Sequence, residues 1–153
     1  MIISCYTNDL LGRRTSKNDE QYGHNESGKN TIVCDGNGSL TMYLRGEKMK
    51  YEGDECTKRH EQQHITDTYR EYGRDCCKGK PFGFSITDDL HPKGEKMGKW
   101  QRWKSECEAY KITISCLKEK REKVCCQLSG EEKRDCEGYL DFKISNALGQ
   151  KRT

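Results

Sequence analysis

Two histidines four residues apart, His60 and His64, enclose Glu61-Gln62-Gln63. On an α-helix this spacing puts both imidazoles on one face, one turn apart. There they can bind one Zn²⁺ at about 2.0–2.1 Å each. Glu61, next to the first histidine, is offset so that it reaches the water on the metal rather than the metal itself. Zinc lowers the pKa of that water to about 7, and a neighbouring carboxylate can take the proton. The chemistry is hydroxide attack on a carbonyl that the same ion polarises. The competing reading is a solvated helix face carrying two unrelated histidines. The chain holds just 4 histidines, and the placement of this pair within a plausible helix favours the metal.

Two protein nitrogens do not hold a catalytic zinc; a third ligand is required, with one position left open. The metzincin pattern fails, because Arg70 stands where its third ligand would be and Asp67 where it needs glycine. The third ligand is therefore expected further along. Glu106 is the choice, in Ser105-Glu106-Cys107-Glu108-Ala109, with Glu108, Asp88, Asp89 and His91 as competitors. Asp67, three residues after His64, is placed to accept a ring N–H and orient a ligand, or else is a solvated helix aspartate. Tyr110, one turn beyond Glu106, is either a donor to the oxyanion formed during attack or a core residue. His91 precedes Pro92 in a polar loop and reads as surface.

These residues need elements to hold them. The spacing predicts a helix from Asp54, as N-cap, to Tyr72, with Gly73 as its stop. A longer helix is expected over 99–124, where Trp100, Trp103, Cys107, Tyr110, Ile114, Leu117 and Val124 make one apolar stripe interrupted by Arg121. A last helix covers 131–143, burying Cys136 and Leu140, and 146–153 reads as a frayed tail. Upstream, Thr31–Cys34 and Ser39–Leu44 flank Asp35-Gly36-Asn37-Gly38, a strong hairpin signal. Residues 1–30 read as polar loop, 45–53 as charged loop, and 73–98 as mostly loop around the apolar patch Phe82–Ile86.

Composition bounds the rest. The chain has 153 residues, enough for one domain and short for two. Hydrophobic residues are 31 % and charged residues 35 %, so no run approaches the apolar length of a membrane span. Basic and acidic residues, 28 and 25, are interleaved for a net charge of +3. That argues against the dense basic stripe of a nucleic-acid binder. Ten cysteines without any CxxC pair point to disulfides rather than zinc knuckles. The expected compartment is oxidising, secreted or periplasmic. The opening residues show no secretory signal pattern, a tension that resolves if the chain is a mature form or a module cut from a larger exported protein. Gly23–Asn30 nearly spells a P-loop, but Asn30 replaces the Ser or Thr that would meet Mg²⁺. His24 has no second histidine cluster to make a nuclease, and oxidised cysteines are poor nucleophiles.

Glu106-Cys107-Glu108-Ala109 fits ExxA, so the set resembles the gluzincin arrangement, in which a Glu from a later helix completes HExxH. Cys56 through His64, Asp67, Cys77-Lys78-Gly79-Lys80, Ser105-Glu106 with Ala109, and Cys116-Leu117-Lys118 resemble, more particularly, cysteine-rich HExxH toxin domains. These are C-terminal modules of bacterial polymorphic toxins, including type VI secretion cargo. The resemblance covers about residues 56–126. It implies a zinc metallopeptidase effector, delivered by a secretion machine and neutralised by a cognate immunity protein, with the cysteines around 56 to 77 bracing the active helix. The expectation is a single α+β, zincin-like domain over 1–153: hairpin, active helix and long second helix. His60, His64 and Glu106 would bind Zn²⁺, and Glu61 would be general base on a protein or peptide substrate. Ser39–Leu44 would be the edge that holds peptide by β-addition. The alternative from another class is a non-catalytic, disulfide-rich secreted binding or inhibitory protein.

Overall fold

The computed structural model describes residues 29–86 and 96–152. Among the described residues it is an α+β arrangement of one two-stranded antiparallel hairpin and three helices, cross-linked by disulfides. In chain order these are β1 (Thr31–Cys34), β2 (Leu40–Tyr43), α1 (Gly53–Tyr72), α2 (Lys96–Lys123), a 3₁₀ turn (Cys125–Gln127) and α3 (Gly130–Arg152).

The hairpin pairs Thr31 with Tyr43 and Cys34 with Leu40. Its turn works because Gly36 and Gly38 take φ of 85° and 99°, a region costly for any residue with a side chain. Asp35 Oδ1 accepts the Asn37 and Ser39 N–H groups and closes the loop. The alternation puts Ile32, Cys34, Leu40 and Met42 on the face toward α1. There they pack with Ile65, Tyr69, Cys77 and Ile86. The Tyr69 hydroxyl accepts the outward N–H of Leu40 at 2.8 Å, fixing the strand to the helix. The 82–86 patch forms no strand, as the loop reading expects, but two backbone bonds tie it to the end of β1: Cys34 N–H donates to Phe84 O and Gly83 N–H to Cys34 O.

The N-terminus of α1 departs from expectation. Asp54 is not its cap; its carboxylate accepts the Met49 N–H at 2.6 Å. The helix begins at Gly53, after Tyr51 and Glu52, both at positive φ. A Cβ at position 53 would sit 2.8 Å from Met49 Cβ, so the chain can close on itself here only through glycine. The two strained residues are held by tertiary contacts. Tyr51 packs edge-on to Tyr139, whose hydroxyl accepts the Lys50 N–H. Glu52 and Glu55 both accept from the buried ammonium of Lys120, at 3.2 and 2.6 Å.

Helices α1, α2 and α3 enclose a second cluster of Cys56, Ile114, Cys116, Leu117, Leu140, Ile144 and Ala147, with Tyr110 and Val124 against it. The long helix begins three residues earlier than the stripe suggests, and the side chains of Trp100 and Trp103 lie outside the described residues. The residues from 146 to 152 are helix, not frayed tail, because Ile144 and Ala147 continue the buried stripe of Cys136 and Leu140. Residues 1–28 lie outside the described residues, and with them most of the expected polar loop and of the near-P-loop.

Cys34–Cys77 ties the hairpin to the segment after α1, Cys56–Cys116 ties α1 to α2, and Cys125–Cys136 ties the 3₁₀ turn to α3. Cys107 is also disulfide-bonded. Such bonds place the protein in an oxidising environment. Among the described residues no helix is long and apolar enough to cross a membrane.

Candidate metal centre

The histidine-bearing face of α1 meets α2 where His60 and His64 come up against Glu106. His60 Nε2 lies 3.0 Å and His64 Nε2 3.1 Å from the same oxygen, Glu106 Oε1. Tetrahedral ligands at about 2.0–2.1 Å from an ion stand roughly 3.3 Å apart, so each histidine nitrogen already stands from the carboxylate oxygen almost as a bound zinc would hold it, and all three ligand atoms lie within 4.8 Å of one another. Among the described residues these three form the group able to hold a metal ion.

The hydroxyls behind the rings indicate which nitrogens are left to face a metal ion. Thr113 Oγ1 donates its proton to the Ala109 carbonyl at 3.1 Å, and a carbonyl can only accept. Thr113 must therefore accept from His60 Nδ1, 2.8 Å away. Ser105 Oγ donates to Asp67 Oδ2 at 2.7 Å, so it too accepts, from His64 Nδ1 at 2.8 Å. Both rings carry their proton on Nδ1. In the neutral rings both Nε2 atoms present lone pairs to a carboxylate oxygen that also only accepts. Three acceptors converging on one point require a cation between them, a shared proton or a metal.

The charges agree. Burial opposes the charge of Glu106, but the His64 and His60 rings outweigh it by charge and hydrogen bonding and hold its pKa well below the usual carboxylate range. Burial likewise disfavours the His64 charge, yet Glu106, aided by Glu61 and Asp67, raises its pKa above 6.5. Glu61 is 5 % exposed. Its burial pushes its pKa up, against the pull of His64 and His60, which suits a group that must take and give a proton. The histidine side chains are 12 % and 16 % exposed and that of Glu106 is 40 %, so the centre is walled by the two helices and open on the Glu106 side.

Asp67 does not meet a ring directly as expected. It reaches His64 through Ser105 and is fixed by Gln63 Nε2 at 2.9 Å and by Arg70. Tyr110 stands edge-on to His60, ring centroids 4.7 Å apart, while its other side packs on the core. Glu108 turns away and pairs with Lys111. Asp88, Asp89 and His91 lie outside the described residues. Ser105 and Thr113 were not singled out by the sequence. The signal was there for Thr113: positions 106, 109, 110 and 113 share one face of a helix. No protein-family model, curated protein or solved structure matches the chain.

Proposed function

We propose that the protein is a zinc-dependent peptide-bond hydrolase of zincin-like, gluzincin-type arrangement, acting outside the cytoplasm. The reading is carried by one observation: two Nε2 lone pairs and a carboxylate oxygen meet at ligand spacing, with both Nδ1 protons committed elsewhere. His60, His64 and Glu106 hold the ion. Zinc, when bound, polarises the scissile carbonyl and acidifies water. Glu61 takes a proton from the attacking water and returns it to the departing amine nitrogen. Tyr110, against His60, is the candidate donor to the developing oxyanion. Two nitrogens and one oxygen suit zinc better than the harder cations, which favour all-oxygen sites.

The resemblance to cysteine-rich HExxH toxin modules extends this to an antibacterial effector delivered to a target-cell periplasm, with a protein or peptide substrate and a cognate immunity protein. The disulfides support such a compartment. The test is metal content after dialysis of the purified, oxidised protein. About one equivalent of zinc, lost in His60→Ala, is expected. A metal-free protein with its fold intact overturns the hydrolase in favour of the binding protein. Toxicity on export to the periplasm, abolished by Glu61→Gln, tests the effector role.

A further inference from the structure

Ser105 and Thr113 each accept a hydrogen bond from the Nδ1–H of a histidine, but they donate their own protons to different acceptors. Behind Ser105 stands a carboxylate: the hydroxyl donates to Asp67 Oδ2 at 2.7 Å, and Asp67 is anchored in turn by Gln63 and Arg70. Behind Thr113 stands the neutral Ala109 carbonyl, at 3.1 Å. A hydrogen bond ending on an ionised group is roughly twice as strong as a neutral one, and polarisation passes along a chain of such bonds. An imidazole whose N–H is drawn toward an anion is the more basic at its other nitrogen.

We infer that Ser105 is a positioning residue that carries the charge of Asp67 to His64, making His64 the dominant nitrogen ligand for a divalent cation and His60 the subordinate one. The inference rests on the metal-site reading above. It turns the two halves of an apparently symmetrical motif into unequal partners. The Ser105 hydroxyl transmits because it sits between two groups that leave it one arrangement: it must accept from the ring and donate to the carboxylate. Remove the hydroxyl, and Asp67 loses its hydrogen-bonded path to the ring and keeps only its through-space charge. Neutralise Asp67, and the hydroxyl has lost what it transmits. The two residues therefore act largely as one unit, and losing both should cost much less than the product of the two single losses.

The test is zinc affinity, measured by competition with a chromophoric chelator on the full, oxidised chain. Wild type is compared with Ser105→Ala, Asp67→Asn, their double variant, Ser105→Thr and Thr113→Val. Ser105→Ala and Asp67→Asn are each expected to weaken binding about 10–100-fold. The double variant should lose far less than the product of the two single losses, Ser105→Thr should recover most of the affinity, and Thr113→Val should lose several-fold less. A general loosening of the helix pair would not produce that coupling or that rescue. Asp67→Asn keeps the side-chain volume, so the inference stays testable if Ser105→Ala folds badly: its Co²⁺-loaded absorption spectrum should shift, and an unchanged spectrum with unchanged affinity overturns the relay. Losses that multiply in the double variant, or a Thr113→Val loss equal to that of Ser105→Ala, also overturn it. Absence of zinc binding in the wild type instead overturns the metal-site reading itself.

Discussion

His60 and Thr113 face each other across the seam between α1 and α2, one turn along both helices from the Cys56–Cys116 bridge. The disulfide that joins the two helices and the hydrogen bond between His60 and Thr113 thus share a single stretch of interface. Both sulfurs belong to residues almost wholly buried, at 0 % and 1 % exposure. The bridge spans 60 residues of sequence, a closure worth about 4 kcal/mol in the chain-entropy account.

Replacing both Cys56 and Cys116 by alanine is therefore expected to destabilise the protein by about 2–5 kcal/mol and to weaken zinc binding as well. Thermal unfolding with and without zinc checks this. The zinc-dependent rise in Tm should be smaller in the variant. An equal rise would show that the bridge braces the fold without bracing the site.

Glu61→Gln keeps the shape of the side chain and removes the base. It should retain zinc at wild-type stoichiometry while kcat falls about 10²–10⁴-fold. The measurement pairs metal analysis with turnover of a peptide substrate. Full turnover in this variant would remove Glu61 from the reaction.

Zinc binding should depend on pH through His64. Its pKa in the metal-free protein is raised above 6.5, with burial opposing the charge and Glu106 sustaining it. Below that raised value the ring must lose a proton before Nε2 can bind, so affinity should fall by about tenfold per pH unit as pH drops. Above it the dependence should flatten. The same ring also bears on stability: a raised folded pKa stabilises the metal-free protein at low pH, and this is lost as pH rises through the folded value. Zinc should therefore stabilise most on the alkaline side. Calorimetry in buffers of different ionisation enthalpy reads the proton released.

Much of the site was legible because its parts obey local periodicity. His60 and His64 announce themselves by spacing, and Glu106 by its place on an amphipathic helix beside Ala109. The structure brings these three together. Ser105 and Thr113 were not legible as supports. A hydroxyl is common on any helix, and its use depends on what faces it 41 or 53 residues away. The sequence puts Asp67 within reach of a ring, but Asp67 and His64 share α1, and a hydroxyl from α2, that of Ser105, stands between their side chains. The start of α1 was misplaced because Asp54 has the chemistry of a cap, whereas two positive-φ residues and a glycine set the start. The end of α3 was undercalled because charged residues dilute a stripe that Ile144 and Ala147 in fact continue.

Cys76 and Cys126 are free thiols, each directly next in the chain to a cysteine already bridged, Cys77 or Cys125. Consecutive Cα atoms are only about 3.8 Å apart, so proximity alone scarcely separates the right sulfur from the wrong one during oxidative maturation. What separates them is packing: Cys77 and Cys125 are wholly enclosed, while Cys126 faces solvent and Cys76 is half covered. Pairing errors at these doublets would turn a buried sulfur outward and pull an exposed one in. The hydrophobic interior thereby acts as proofreader, and a maturing chain needs thiol exchange to keep running until that interior has closed.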